Sequence, residues 1–146
     1  MNLIVKEMIE DHIEECTDLY MSTFSQEPWY DQFESKEQVV KYFKNFMKYN
    51  SFLGYVGILD NKIVALSVGM KKPWIKGEEY YIDEFCVDYS QQGKGIGSLF
   101  LKQIEEFISD QQLNGIFLNT EEAYPSYEFY RKNGFEKLDG LVILVK

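Results

Sequence analysis

The run Gln92-Gly93-Lys94-Gly95-Ile96-Gly97 joins an apolar stretch to an amphipathic one and has the composition of an anion-binding turn. Upstream, Tyr80 to Val87 is rich in aromatic and β-branched residues, which predicts a buried strand. It carries two adjacent carboxylates, Asp83 and Glu84. Downstream, Ile96, Leu99, Phe100, Ile104, Phe107 and Ile108 recur at helical spacing. A glycine-rich turn feeding a helix N-terminus presents backbone N–H groups that have no partners within the helix, at the positive end of its dipole. Glycine also admits left-handed backbone and close approach to a phosphate. The segment Gln92 to Ser98 is therefore expected to hold a pyrophosphate. Neither common nucleotide motif fits. A dinucleotide fingerprint needs a third glycine where Ser98 or Phe100 stands, and a phosphate-binding Gly-Lys pair needs Ser or Thr where Gly95 stands.

Read as Gln-x-x-Gly-x-Gly through Gln92, Gly95 and Gly97, the loop is similar to the acyl-coenzyme A pyrophosphate loop of the GNAT superfamily of N-acetyltransferases. Ala123 to Phe135 resembles that superfamily's second signature, a short helix ending in Tyr-x-x-x-Gly-Phe, here Tyr130, Gly134 and Phe135. The segment is also legible physically. Pro125 suits an early helical position, Gly134 a left-handed C-cap, and Lys132 the negative end of the dipole. Phe129 reads as ordinary core packing. The two signatures in this order and separation are far more specific than either alone.

The resemblance implies an acetyl-CoA-dependent N-acetyltransferase. Its acceptor would be a primary amine of a cationic small molecule (aminoglycoside-like or polyamine-like) or of a peptide, attacking directly in a ternary complex. The rival from another class is an acyl-CoA-binding regulatory or interaction module without turnover. In the superfamily the pantetheine arm pairs with backbone corresponding to Phe85, Cys86 and Val87, as an added strand would. Gln92, Gly93, Lys94, Gly95, Ile96, Gly97 and Ser98 would hold the pyrophosphate, Asn119 would bond the pantetheine arm, and Tyr130 would be the acid to the departing thiolate. No metal is called for.

An amine with pKa near 10.4 is neutral in about one molecule in 2,500 at pH 7, so removing its proton costs about 4–5 kcal/mol. A carboxylate beside the acceptor can relay that proton. Regular strand alternation groups Asp83 with Tyr81, Phe85 and Val87, and Glu84 with Ile82 and Cys86. Asp83 also resembles the acid/base position of aminoglycoside 6′-N-acetyltransferases. It is the preferred base, with Glu84 second; a bulge in the strand would scramble this parity. Glu121 and Glu122 follow Asn119 at the mouth as candidates to face a cationic acceptor. Trp29, Tyr30 and Trp74 could line its pocket or pack as core or lid.

The elements that position these residues read as follows. Leu3 to Met8 is a first strand and Glu10 to Phe24 a helix, interrupted by Ser25 to Tyr30. Ser35 and Gln38 form a capping-box signature for a second helix. Phe52 to Leu59 and Ile63 to Met70 are strands around Asp60-Asn61-Lys62, and Lys71 to Gly77 links them to the central strand. Gly115 to Thr120 and Leu141 to Val145 complete the set. The resemblance implies a GNAT α/β fold in the order β-α-α-β-β-β-α-β-α-β-β, a mixed, mostly antiparallel sheet flanked by helices. Residues 1–50 match only in helix count and in Phe24-x-x-x-Pro28-Trp29, which looks like the aminoglycoside-acetyltransferase branch.

A length of 146 residues, 45% hydrophobic and 16% aromatic, suits one packed domain spanning 1–146. No transmembrane run or secretory signal is seen, so a cytoplasmic address is the default. Cys16, Cys86 and the lone His12 are too few for a zinc site or a disulfide framework. A net charge of −9 argues against nucleic acid as a partner and is compatible with a cationic substrate. The partners expected are acetyl-CoA and an amine acceptor, with no membrane; a homodimer is left open.

Overall fold

The computed structural model describes residues 2–146. Five strands form one sheet in the order β1 (Ile4–Glu7), β2 (Phe52–Leu59), β3 (Lys62–Trp74), β4 (Gly77–Val87) and β5 (Ile116–Leu118). Neighbours are antiparallel except β4 and β5, which are parallel. Four helices flank the sheet: α1 (Ile13–Phe24), α2 (Lys36–Met47), α3 (Ile96–Asp110) and α4 (Pro125–Lys132). The α/β class and the mixed, mostly antiparallel sheet are as expected.

Local chemistry explains the element ends. Asp60 and Asn61, at φ 50° and 62°, make a two-residue left-handed turn between β2 and β3, the geometry that matches strand twist. Ser35 caps α2 by accepting from the Gln38 N–H at 3.1 Å. In return Gln38 Oε1 accepts from the Glu34 N–H rather than from Ser35's own. Helix α1 begins later than expected, because Glu10–His12 form a tight 3-10 turn ahead of it.

Two apolar layers sandwich the sheet. Under α3, Val5, Tyr55, Tyr80, Ile82, Val87, Ile96, Phe100 and Ile104 form one core. Beneath α1 and α2, Cys16, Leu19, Phe43, Val56, Leu66, Val68 and Cys86 form the other.

Three expectations are corrected. Lys71 to Gly77 is not a linker: β3 runs on to Trp74 and β4 starts at Gly77, a long tight hairpin whose tip leaves Trp74 66% exposed. Leu141 to Val145, expected as the last strand, joins no strand of the sheet, so the order ends at α4. The third concerns the parity of β4. Val68 pairs with Glu84 but Gly69 pairs with Ile82, so Asp83 is an extra, bulged residue. Tyr80, Ile82, Phe85 and Val87 therefore serve the α3 core, while Cys86 serves the other.

Gly69 is what lets the bulge form: a Cβ there would overlap the carbonyl oxygen of Tyr81 and crowd the Ile82 Cα. Both obstacles are backbone and cannot rotate away. Gly69→Ala should therefore cost roughly 1–3 kcal/mol, the usual range for overpacking, read as a lower urea midpoint at unchanged slope.

Candidate active site

The bulge sends Glu84 toward α1 and α2, where two phenols receive it. Tyr20 Oη and Tyr42 Oη each donate to Glu84 Oε1, at 3.2 and 3.3 Å. Tyr20 is held on α1 by Phe24, Phe33 and Phe43, with ring centroids 4.9, 5.7 and 5.6 Å away. Burial pushes the Glu84 carboxyl up to about 7. The two phenol donors pull it down, and the charges of Asp83 and Asp31 add to the rise. A carboxylate poised there is suited to accept a proton near neutral pH. Asp83 lies beside it, exposed and with no side-chain hydrogen bond among the described residues. Its carboxyl is also raised, by partial burial.

Tyr130 comes from the other side of the sheet. Phe85 packs against it at 6.0 Å, Phe129 at 5.3 Å and Phe135 at 5.3 Å. The ring is 8% exposed, and its hydroxyl has no hydrogen-bond partner among the described residues. Burial holds the phenol above its ordinary range, with Cys86 and Glu84 adding to the shift. It is therefore protonated throughout the working range.

The residues expected to hold acyl-CoA fit that group on three observations. First, β4 pairs with β5 only from Tyr80 to Ile82, although β4 itself continues to Val87. The backbone of Phe85, Cys86 and Val87 thus has no strand on that side, where an extended arm could pair. Gln92 Nε2 donates to the Val87 carbonyl at 3.0 Å and ties the loop to the strand end. Second, Gly93 and Gly95 adopt φ 78° and 82°, and a Cβ on either would meet nothing within 4 Å, so the space above them is open. Third, α3 has no side-chain cap; its first internal bond runs from Leu99 N–H to the Gly95 carbonyl. The N–H groups of Ile96, Gly97 and Ser98 are left for an anion. Lys94 lies in the same turn. Gly97 has a different role, since a Cβ there would come 3.0 Å from the Phe129 ring and 3.4 Å from Val87; it lets α3 seat on α4. A cleft of about 460 Å³ lined by Ser98, Leu99, Lys102, Lys132 and Asn133 opens beside the loop.

Other sequence candidates scatter. Asn119 ends β5 and donates to Tyr81 Oη at 2.9 Å, at the parting of β4 and β5. Glu122 is occupied by Lys137 at 2.7 Å. Trp29 packs edge-on between Phe24 and Tyr124, at 4.9 and 6.2 Å, which links the α1–α2 loop to the β5–α4 loop. Tyr30 (65% exposed) and Trp74 are out in solvent. Sequence reasoning does not single out Tyr20 and Tyr42 as site residues. The available signal was two tyrosines among the phenylalanines of α1 and α2, each with a hydroxyl that a buried face must satisfy.

The raised carboxyl of Glu84 ties stability to pH. Since its folded value (about 7) exceeds the ordinary value of 4.5, protonated Glu84 favours the fold. That contribution is complete below the ordinary value and is lost as pH rises through about 7. Glu84→Gln, always neutral, should be more stable than the parent by roughly 1–3 kcal/mol near pH 8 and about equal to it near pH 4. Paired denaturant titrations at the two pH values check this.

The comparisons agree with this geometry. The model of the acetyltransferase (GNAT) family matches residues 11–135. No curated protein matches the chain. An aminoglycoside acetyltransferase, meta-AAC0020 from an uncultured soil metagenomic sample, shares the fold at TM-score 0.71 and 19% identity, covering 99% of this chain and 97% of its own. A ribosomal-protein-alanine N-acetyltransferase from Brucella melitensis biovar Abortus 2308 does so at 0.79 and 12%, covering 100% and 99%. An integron cassette protein from V. cholerae reaches 0.81 at 14%, covering 100% and 93%. With the family's model spanning most of its length and the loop, strand and helix in place, the chain belongs to the GNAT family of acetyltransferases and is an N-acetyltransferase.

Proposed function

We propose that the chain transfers an acetyl group from acetyl-CoA to a primary amine of a cationic acceptor, with Glu84 as the base. The observation that carries this reading is the setting of Glu84. It is a largely buried carboxyl raised to about 7 and aimed by two phenols, beside a stretch of β4 with an open edge. Bound acetyl-CoA supplies an activated thioester carbonyl. The backbone of Phe85 to Val87 and the N–H groups of Ile96 to Ser98 orient it, and Asn119 closes the far side. Glu84 receives the ammonium proton, directly or through water, and frees the nitrogen lone pair. The nitrogen forms the new N–C bond and gives up its second proton to solvent, the C–S bond breaks, Tyr130 donates its hydrogen bond and then its proton to the departing sulfur, and Glu84 releases the proton it took to solvent. Solvent returns a proton to Tyr130.

The acceptor is cationic because three carboxylates meet where it must enter. Asp31 is near enough to act on Tyr20 and Glu84 by charge, Asp83 is exposed next to Glu84, and Trp29 with Tyr124 frames the opening. The soil enzyme of the same fold was crystallised with sisomicin, and another neighbour, AAC(6')-Iy, with a CoA-linked acetylneamine. Both support an amine with more than one positive charge as the first class to try.

Thiol release from acetyl-CoA, screened against aminoglycosides, polyamines and basic peptides, tests the reading. Glu84→Gln should lower kcat/KM by about 10²-fold or more and abolish an acid limb near pH 7. Asp83→Asn should act mainly on KM, by less than about tenfold. If Asp83→Asn is the crippling change and Glu84→Gln is mild, the base is Asp83.

Tyr130→Phe retains the ring and removes the proton. It should lower kcat about tenfold or more while leaving the affinity for CoA, measured by calorimetry, unchanged. A variant of unaltered kcat with chemistry rate-limiting would leave Tyr130 a packing residue.

A further inference from the structure

Strand register lines up four apolar side chains across the sheet. Phe52 pairs with Met70, Met70 with Tyr81 and Tyr81 with Phe117, so one row crosses β2, β3, β4 and β5. Residues directly opposite each other point to the same face. Tyr80 and Ile82 fill the α3 core and Phe52 packs against the α1–α2 core, so the row lies on the α1–α2 side. With neighbouring strands about 4.8 Å apart, it is roughly 14 Å wide. Further in on β3, Leu66 and Val68 are fully buried beneath the helices. The row itself is only partly buried, because α2 stops at Met47 and β2 begins at Phe52 after a short turn.

The row starts one step from Glu84. Glu84 pairs with Val68, two residues along β3 from Met70, a separation of about 7 Å. Tyr42, which donates to Glu84, packs on Phe46 at 6.0 Å, and Phe46 packs on Phe52 at 5.3 Å. An aromatic wall thus connects the carboxylate to the row. At the other end the Lys72 ammonium lies 5.2 Å from the Phe117 centroid, so the face of that ring is open to a group arriving from solvent.

Polar partners are scarce along this surface. Its one hydroxyl, on Tyr81, is engaged by Asn119 Nδ2 at 2.9 Å. The hydroxyls of a sugar laid here would leave water without gaining hydrogen bonds. An aromatic ring suits it better, since Tyr81 and Phe117, 4.8 Å apart and tilted at 51°, offer both a face and an edge. Resting on the reading of Glu84 as the base that meets the acceptor's ammonium, we infer that the acceptor is an arylalkylamine, a primary amine joined to an aromatic ring by a short alkyl tether. Phe52, Met70, Tyr81 and Phe117 form the surface that selects the ring.

Thiol release from acetyl-CoA tests this with 2-phenylethylamine, ethylamine and 6-amino-6-deoxyglucose, which carry a primary ammonium on a tethered ring, on no further body and on a sugar. For the unmodified chain, kcat/KM with 2-phenylethylamine should exceed that with either other amine by about tenfold or more, the low end of what burying an aromatic ring is worth. Met70→Ser and Phe117→Ser, with unchanged far-ultraviolet circular dichroism, should each cut that preference by about threefold or more. Equal values for the three amines, or a preference for the sugar amine, overturn the inference. They leave the reading of Glu84 intact if Glu84→Gln still slows the reaction with ethylamine. A preference that survives both serine substitutions overturns the inference as well. If none of the amines is turned over, calorimetry of the CoA complex decides. Binding of 2-phenylethylamine that Phe117→Ser weakens supports the row while removing Glu84 as base, and binding that is absent or unaltered by Phe117→Ser overturns the inference.

Discussion

Where β3 meets β4, Gly69 allows the Tyr81 carbonyl to come so close that no other residue fits, and the slack is taken up by one extra residue, Asp83. That single irregularity decides which side chains reach which layer. Before it, Tyr80 and Ile82 fill the α3 core; after it, Phe85 and Val87 do so again, out of step with regular alternation. Glu84 and Cys86 are thereby turned to the α1–α2 side. Without the bulge, either Tyr80 and Ile82, or Glu84 together with Phe85 and Val87, would sit on the wrong face. The sheet can be both a complete core and the floor of a polar site only because its backbone slips at this point.

Glu84 is held by opposing forces, of which burial is the larger. Burial disfavours its charge, and the phenols of Tyr20 and Tyr42 favour it. With burial alone the carboxyl would remain protonated near neutral pH and could not act as a base; with free hydration it would be too weak a base to draw a proton from an ammonium. The compromise costs stability once the group ionises, which is how functional sites commonly depart from the rules that govern the rest of a fold. The same two tyrosines tie α1 and α2 to β4, so in the proposed reaction the helices and the carboxylate that would receive the proton are held together.

The parts of the site written in the backbone were legible in the sequence. Gly93 and Gly95 need left-handed conformations, and Pro125 and Gly134 the ends of α4. Each residue type has few other uses, and the structure places each as its chemistry demands. What depends on long-range pairing was not legible. Parity across residues 82–85 follows from Gly69 on a different strand, so the grouping of Glu84 with Ile82 fails for a reason absent from β4 itself. The meeting of Tyr20 and Tyr42 on one carboxylate oxygen joins positions 64 and 42 residues apart from Glu84. Trp74 reads as pocket lining or as core or lid packing when the hairpin that carries it into solvent is taken for a linker.

The brevity of β5 bears on both ends of the molecule. Three residues suffice to pair with Tyr80 to Ile82, and then the strands part. Toward the site, this leaves the backbone of Phe85 to Val87 without a neighbour, an arrangement that would be a defect in a purely structural sheet, because unpaired N–H and C=O groups invite whatever can satisfy them. On its outer side β5 carries no further strand among the described residues. A longer β5 paired along all of β4 would close the first gap and with it the route for an extended ligand arm. The gap beside the backbone of Phe85 to Val87 thus has one cause, the early end of a single parallel strand.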